Sequence, residues 1–255
     1  MFTLLKQKAA RGAVNGVFIF TDSPANVEIL GYAGFDYVII DTEHAPNDTA
    51  AVETMIRAAE ISGIAPLVRV TKNDPTYILR VMDVGARGIL VPQVNSAAEA
   101  RQAVQAVKYH PQGNRGVAGI VRAARYGFTP LADYIAATND NSLVIVQAED
   151  IKAVAALDEI LAVDGVDGVL VGPADLSQSM GIPGRFDDPE FSRVVHDIVA
   201  RTIKAGKLAG VFCFDAAQAK YWRSRGVRLL LIGSDTIMFA AAARALAGEL
   251  KDNRK

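Results

Sequence analysis

The sequence predicts an α/β fold, a single (β/α)8 barrel of the TIM type that spans residues 1–255 as one domain. A chain of 255 residues has the usual size of one such barrel, although length alone also allows two average domains. Eight short apolar runs recur along the chain, with helical patterns between them. The runs are continuously apolar, which indicates parallel strands buried on both faces, whereas the strands of a sandwich would alternate.

Each predicted strand is a β-branched or aliphatic run bounded by Gly, Pro, Asp or Asn. In chain order the eight runs are Gly16–Phe20, Asp36–Asp41, Pro66–Val70, Gly88–Pro92, Leu143–Gln147, Gly168–Val171, Leu208–Phe214 and Leu229–Gly233. An open doubly wound sheet usually has fewer strands and a glycine-rich turn after the first one. Here Thr21-Asp22-Ser23-Pro24 follows the first run, so a closed barrel is favoured.

Helical periodicity occupies the intervals between the runs, and several helices begin with good capping residues. Asp74-Pro75 places proline at a first helical position, and the residues from Ser96 to Glu99 resemble a capping box. The helical patterns include Asn47–Ser62, Pro75–Val84, Ser96–Tyr109, Ala153–Leu161, Pro189–Ala205 and Ala216–Ser224.

The stretch from Val94 to Ser142 is too long for one crossover. It contains Tyr109-His110-Pro111-Gln112-Gly113-Asn114-Arg115-Gly116 and a second helical pattern near Pro130–Ala137. Long insertions at a barrel rim are usually functional, so we expect one here.

Composition excludes several classes of partner. The formal net charge is −1 and no block of like charge occurs, so neither a nucleic acid nor a membrane surface is expected. No apolar run reaches membrane-spanning length. The single cysteine, Cys213, cannot form an intrachain disulfide and has apolar neighbours, which indicates a buried thiol in a reducing cytoplasm.

Polar side chains follow several of the predicted strands. Because the carboxyl ends of barrel strands meet at one mouth, these side chains should converge there. They are Asp41, Glu43 and His44 after the second run, Arg69 in the third, Gln147, Glu149 and Asp150 after the fifth, and Asp175 after the sixth.

Glu149 and Asp175 follow neighbouring strands and can offer carboxylate oxygens to one hard cation, with positions left for water and substrate. The alternative is that both carboxylates cap helices or form salt bridges at the rim. Their occurrence on adjacent strands favours an open, catalytic metal site.

His44 is one of three histidines and lies beside two acidic residues, which would orient its ring and raise its basicity. It is the candidate general base, with a structural bond to a loop carbonyl as the alternative. His110 precedes a proline in a loop and His196 lies in a helical pattern, so both are interpreted as structural.

Arg69 emerges on an apolar strand, where an unpaired guanidinium would be costly, so it should meet an anion. That anion is the substrate, Glu43 or Glu149. The segment Gly172-Pro173-Ala174-Asp175-Leu176 is typical of a turn with free backbone N–H groups, which suit a carboxylate or phosphate. Lys72 is the lysine nearest a strand end, which leaves a Schiff-base aldolase as a further alternative.

In this order the motifs resemble the metal-dependent class II pyruvate aldolases of the 4-hydroxy-2-oxoheptanedioate and 2-dehydro-3-deoxyglucarate type. The resemblance covers nearly the whole chain. The matching segments are 34–36, 41–46, 68–70, 73–75, 83–85, 91–92, 111–116, 146–149 and 171–177.

The resemblance implies that Glu149 and Asp175 bind a divalent cation (Mg²⁺, Mn²⁺ or Co²⁺) that also holds pyruvate. It implies that Arg69 stabilises the enolate oxygen and that His44 acts as base, tuned by Asp41 or by Asp83, the latter from the same or a neighbouring subunit. The residues implied to bind the substrate are Gln147, Gly172, Pro173, Ala174 and Asp175.

The implied reaction is reversible retro-aldol cleavage of a 4-hydroxy-2-oxo acid to pyruvate and an aldehyde. The segment Phe18-Ile19-Phe20 lacks a tryptophan that is common in the family, and Phe212-Cys213-Phe214 is atypical. Ala148 and Asp150 also depart from the family pattern. These departures concern the predicted aldehyde pocket and leave the metal and enolate residues intact.

Two other classes of function remain open. The same enolate chemistry serves an oxaloacetate decarboxylase, an acyl-CoA lyase or a condensation like that of macrophomate synthase. A non-catalytic barrel would instead hold an anion at Gly233-Ser234-Asp235. The resemblance also implies a homo-hexamer, a trimer of dimers, in which carboxyl-terminal helices such as Ile237–Leu250 are exchanged or packed between subunits. The same apolar segment would serve equally as a barrel helix.

Overall fold

A computed structural model describes residues 5–252, and eight parallel strands within it close into a barrel in sequence order. The predicted fold is confirmed, and every predicted strand boundary lies within two residues of the observed one. The strands are β1 (Val14–Ile19), β2 (Tyr37–Asp41), β3 (Ala65–Arg69), β4 (Gly88–Val91), β5 (Leu143–Ala148), β6 (Gly168–Val171), β7 (Leu208–Cys213) and β8 (Leu229–Ser234).

Helices cover the outer face of the barrel, and a 3-10 helix spans Arg122–Gly127. The α-helices are α1 (Leu5–Arg11), α2 (Pro24–Tyr32), α3 (Thr49–Ser62), α4 (Pro75–Asp83), α5 (Ala97–Val107), α6 (Leu131–Asn141), α7 (Ile151–Ala155), α8 (Leu157–Leu161), α9 (Pro173–Ser179), α10 (Pro189–Lys204), α11 (Ala216–Arg223) and α12 (Asp235–Asp252). The pattern predicted over Ala153–Leu161 is therefore two short helices, which join at Ala156.

The helix starts use the capping residues that the sequence predicts. The side chain of Asp74 accepts from the N–H groups of Thr76 and Tyr77 ahead of a first-turn proline. The Ser96 hydroxyl accepts from the N–H of Glu99, whose carboxylate accepts in turn from the N–H of Asn95. These bonds satisfy N–H groups that a helix start leaves unpaired, so the helix boundaries follow from local sequence.

Two apolar layers hold the barrel together. The larger one lies between strands and helices and includes Val38, Ile40, Val68 and Ile89. The smaller one fills the barrel interior with Phe18, Tyr37, Ile39, Leu67, Leu90, Ile145, Leu170 and Leu231. Alternate residues of each strand thus face the two layers, which is why the runs are continuously apolar.

The part of the Val94–Ser142 insertion that follows α5 lies away from the barrel mouth. After α5, Lys108 donates to the carbonyl oxygens of Asn139 and Ser142 (both 2.7 Å), immediately before β5 begins. This part of the segment thus lies at the amino end of the barrel, and the expectation that it forms part of the functional rim is wrong for it within a single chain. Its length serves packing around the buried Tyr109 and Tyr134.

Within residues 5–252, no helix is long and apolar enough to cross a membrane. Cys213 is buried as expected, and burial raises the pKa of its thiol to about 12.

Candidate active site

A cavity of about 340 Å³ opens at the carboxyl ends of the strands, a size typical of small-molecule sites. The predicted site residues in its wall are His44, Arg69, Gln147, Gly172, Pro173, Ala174 and Asp175. Much of the remaining wall consists of the rings of Phe18, Phe20, Phe186, Phe212 and Phe214. The fold therefore gathers most of the predicted residues at one mouth and adds an aromatic surface beside them.

Arg69 is 5% exposed and its guanidinium is held by two carboxylates. Its Nε donates to Oδ1 of Asp41 at 2.7 Å and its Nη2 donates to Oδ2 at 2.9 Å. Nη1 lies 3.2 Å from Oε2 of Glu43. Asp41 and Arg69 are register partners on β2 and β3, so the sheet itself brings this bidentate pair together. Of the expected anions, Glu43 is confirmed, and Asp41 is the stronger partner.

The ring of His44 lies in the cavity wall with 56% of its side chain exposed. Its Nε2 is 3.7 Å from Oε2 of Glu43. Its backbone N–H donates to Oδ2 of Asp41 at 3.2 Å. Asp41 therefore holds the loop, whereas the carboxylate beside the ring is that of Glu43. Among the described residues the ring has no carbonyl partner, so the structural alternative for His44 finds no support.

Glu149 is 4% exposed and lies behind the cavity wall. Its Oε1 accepts from the N–H of Gln93 at 2.7 Å, and its Oε2 accepts from the amide of Gln147. Burial raises the pKa of this carboxyl from 4.5 to about 7, with further upward contributions from the charges of Asp175 and Glu43. The negative charges crowd one another, and a bound cation would relieve that repulsion.

Asp175 lies in the first turn of α9, which begins directly after β6. The segment interpreted as a turn is thus a helix start, with Gly172 as its N-cap. A side chain at Gly172 would place Cβ 2.5 Å from Nε2 of Gln147 and 2.8 Å from Oε2 of Glu149. Glycine is needed at this position because it lets the helix start approach the buried carboxylate closely.

Because of Glu149, we expect the metal-free protein to become less stable as pH rises. The folded pKa of about 7 exceeds the ordinary 4.5, so only the folded state keeps the proton between these values. Stability should fall across this window by on the order of 3 kcal/mol and then level off. Urea unfolding in EDTA at pH 5 and pH 8 measures this loss. Glu149→Gln is the matched control, because it lacks the titration, and an equal loss in both proteins would contradict the assignment.

Two other candidates lie outside the cavity wall. Asp83 pairs within the chain with the buried Arg115 and does not contact His44. A role for Asp83 at the site of a neighbouring subunit stays a prediction. The Lys72 side chain is 75% exposed, and its Nζ lies 3.6 Å from Oδ2 of Asp74. Lys72 lines a separate, smaller cavity, which disfavours the Schiff-base alternative.

The segment after β8, predicted as an alternative anion site, contains a negatively charged side chain of its own, Asp235. The buried carboxylate of Asp235 accepts from the N–H groups of Phe20 (3.0 Å) and Thr21 (3.3 Å) and from the amide of Asn26 (3.2 Å). The Ser234 hydroxyl accepts from the N–H of Ile237 at 3.1 Å. Donors that would cradle an external anion are therefore engaged internally, which argues against a non-catalytic anion-binding barrel.

Two contributors to the site were not predicted. Gln93 adopts φ +55°, a left-handed conformation that is uncommon for a non-glycine residue, and this directs its N–H to Glu149. No sequence signal marks such a residue. Phe186, in the loop between α9 and α10, stacks near Phe214 with ring centroids 5.1 Å apart. The one sequence feature that could have indicated that Phe186 lines the cavity is its position after α9, the helix that carries Asp175.

A closed barrel whose mouth gathers carboxylates, a held arginine and a histidine around a small cavity is the architecture of a barrel enzyme. The HpcH/HpaI aldolase/citrate lyase family matches residues 15–242 of the chain. The chain belongs to this family, and its enzymatic class is that of the carbon–carbon lyases.

Named relatives agree with this membership. The chain is 39% identical over 236 residues to a hydroxypyruvate/pyruvate aldolase of Agrobacterium fabrum, covering 92% of this chain and 88% of the relative. It is 41% identical over 247 residues to a 4-hydroxy-2-oxo-heptane-1,7-dioate aldolase of Klebsiella pneumoniae, covering 96% and 92%. The crystal structure of a family member from Burkholderia cenocepacia superposes with a TM-score of 0.92 at 34% identity, covering 97% of this chain and 98% of that one.

Proposed function

We propose that the protein is a class II aldolase that reversibly cleaves a 4-hydroxy-2-oxo acid to pyruvate and an aldehyde. The observation that carries the proposal is the meeting of Arg69, Asp175 and the buried Glu149 at one cavity, with His44 in its wall. Membership in an aldolase family supports the same reaction.

The donor set fits a divalent cation such as Mg²⁺, Mn²⁺ or Co²⁺. Within residues 5–252 no group of three or more His, Cys, Asp or Glu side chains surrounds one position, so Glu149 and Asp175 would form an open two-carboxylate site. The buried Oε1 of Gln147 has no hydrogen-bond partner, which leaves a further oxygen close to these carboxylates. When bound, the cation would act as a Lewis acid toward the keto group of the substrate.

Arg69 would stabilise negative charge on the enolate oxygen. Its guanidinium is fixed in advance by Asp41 and Glu43, so little reorganisation accompanies the reaction. One such donor is typically worth about 3 kcal/mol of barrier lowering. The substrate carboxylate would lie against the N–H groups of Ala174 and Asp175, which have no acceptor within a helix at its start.

His44 would remove the proton from the C4 hydroxyl, since its ring is exposed to the cavity and has Glu43 beside it. The C4 oxygen then forms the aldehyde carbonyl as the C3–C4 bond breaks. The bonding electrons pass to the enolate, which takes a proton at C3 to become pyruvate. Oxaloacetate reaches the same enolate by loss of CO₂, so its decarboxylation tests the enolate residues without an aldehyde.

Pyruvate release from 4-hydroxy-2-oxo acids should stop in EDTA and return with Mg²⁺, Mn²⁺ or Co²⁺. His44→Ala should lower kcat about 100- to 10,000-fold at saturating metal, as expected for loss of a general base. His196→Ala is the matched control, because that ring bonds Tyr221 and Ser192 and is not part of the cavity wall. Turnover that persists in EDTA and is trapped by borohydride would overturn the proposal.

We also infer that α12 packs against another copy of the chain, within a homo-hexamer built as a trimer of dimers in the cytoplasm. All described side chains from 236 to 250 are exposed, including Ile237, Phe239, Leu246 and Leu250. A helix with this much exposed apolar surface needs a partner surface. Within a single chain these side chains are not buried against the barrel, so the alternative that α12 is an ordinary barrel helix is disfavoured.

Phe239→Asp should lower the native mass measured by light scattering, because it places a charge in the inferred interface. Tyr32→Asp, which changes a 70% exposed aromatic residue on α2, should leave the mass unchanged. A native chain that is monomeric at micromolar concentration would contradict the assembly.

A further inference from the structure

The cavity divides into a polar half and an aromatic half. Arg69, Gln147 and Asp175 lie on the side formed by β3, β5 and α9. On the other side, rings from the ends of β1 and β7 flank β8, and one ring comes from the loop after α9. These rings belong to Phe18, Phe20, Phe186, Phe212 and Phe214.

The rings form one continuous surface that starts at the reacting centre. The guanidinium of Arg69 lies over the ring of Phe18, with the Arg69 Cζ atom 4.5 Å from the ring centroid. The ring centroids of Phe18 and Phe212 are 6.3 Å apart. Those of Phe212 and Phe214 are 5.2 Å apart, and those of Phe214 and Phe186 are 5.1 Å apart. Phe214 is 46% exposed and is the most solvent-exposed ring of the row. A substrate with its oxygen at Arg69 would therefore lay its remote end along these rings.

The charged residues of the cavity wall also limit which substrates fit. Its ionisable members are His44, Arg69 and Asp175, and the guanidinium of Arg69 is already paired with Asp41 and Glu43. Among the described residues of the wall, no lysine or second arginine faces the aromatic half. A carboxylate at the remote end of a substrate would meet no cation there, only the hydroxyls of Ser234 and Thr236, which bond each other at 2.8 Å, so its desolvation would be unfavourable.

We propose that the aldehyde released by this enzyme is aromatic and uncharged, so that its substrates are 4-aryl-4-hydroxy-2-oxobutanoates. The inference rests on the proposed aldolase function and specifies its substrate class. Loss of the C4 hydroxyl proton and cleavage of C3–C4 yield the aryl aldehyde and the pyruvate enolate, which is protonated at C3. The aryl group packs edge-to-face or offset against the phenylalanine row, the arrangement that aromatic pairs prefer.

The test compares kcat/KM of the metal-loaded protein for 4-hydroxy-2-oxo-4-phenylbutanoate and for 4-hydroxy-2-oxoheptanedioate, with pyruvate release as the readout. The phenyl substrate should be preferred at least about tenfold, within the range that apolar pockets achieve. Oxaloacetate decarboxylation is measured in parallel, because it requires the enolate residues and no aldehyde pocket.

Phe214→Arg supplies a cation at the most exposed position of the row, where partial exposure lets the long side chain remain hydrated. It should shift the phenyl-to-heptanedioate ratio at least about tenfold toward the dicarboxylate. Tyr32→Ala removes an exposed aromatic side chain outside the cavity and should leave the ratio unchanged.

The outcomes separate the two proposals. A phenyl preference that Phe214→Arg reverses supports the inference. Decarboxylation of oxaloacetate together with a native preference for the dicarboxylate, or a ratio that Phe214→Arg leaves unmoved, overturns the inference and leaves the aldolase proposal standing. Failure to turn over oxaloacetate and both hydroxy acids with metal present would overturn both.

Discussion

Arg69→Met is expected to lower kcat/KM for pyruvate release about 100- to 1000-fold, because it removes the prearranged donor for the enolate oxygen. The same change should destabilise the fold by about 3–5 kcal/mol, since it leaves the buried carboxylate of Asp41 without its partner. Steady-state kinetics with saturating metal and urea unfolding measure the two effects separately.

The double variant Arg69→Met/Asp41→Asn distinguishes catalysis from stability. It removes both charges of the pair, so most of the lost stability should return. The asparagine oxygen can still accept from one of the backbone N–H groups of Glu43 and His44, which bond Oδ1 and Oδ2 of Asp41 at 3.1 and 3.2 Å. Activity should remain low in the double variant. Recovery of activity along with stability would show that Arg69 is only structural.

Glu149→Gln is expected to reduce pyruvate release by about three to four orders of magnitude. The proposed cation loses its buried carboxylate ligand, and metal-ion stabilisation of a developing oxyanion is worth several kcal/mol. Gln147 has a buried oxygen without a partner, so its amide can turn to accept from the new amide at 149. The variant should therefore fold, and calorimetry with Mn²⁺ should show weakened binding.

Asp150→Ser is the matched control for Glu149→Gln. It removes the adjacent carboxylate, which caps α7 through the N–H of Lys152, and serine preserves a side-chain acceptor for that cap. Metal affinity and activity should stay near native values. Native affinity for Mn²⁺ in Glu149→Gln would exclude Glu149 as a ligand and require another donor set.

The polar residues at the barrel mouth could be predicted because the sequence predicts where each strand ends. Once Asp36–Asp41 and Pro66–Val70 are recognised as neighbouring parallel strands, their carboxyl ends must lie together, and Asp41 and Arg69 become register partners. The same logic places Gln147 near the helix start that contains Asp175. Strand ends are therefore informative in a barrel even without an aligned homologue.

The partners of those residues were less predictable. His44 follows Asp41 by three residues, yet Asp41 holds the backbone and Glu43 lies beside the ring. Which acid faces the ring depends on loop dihedral angles that spacing does not specify. The insertion from Val94 to Ser142 was expected at the functional rim. Its length identifies an insertion but does not reveal at which end of the barrel the inserted residues lie.

The amino-acid pattern was enough to predict the barrel, its strand boundaries to within two residues, and the polar residues at its mouth. Burial on both faces imposes an apolar run on each parallel strand, and chain order then decides which ends converge. The burial of Glu149 behind Gln147 and the five phenylalanines that line the cavity became visible in the folded chain alone. It also showed that the side chains of α12 from residue 236 to 250 are exposed in a single chain. These features depend on side-chain packing between residues distant in sequence, which local patterns do not encode.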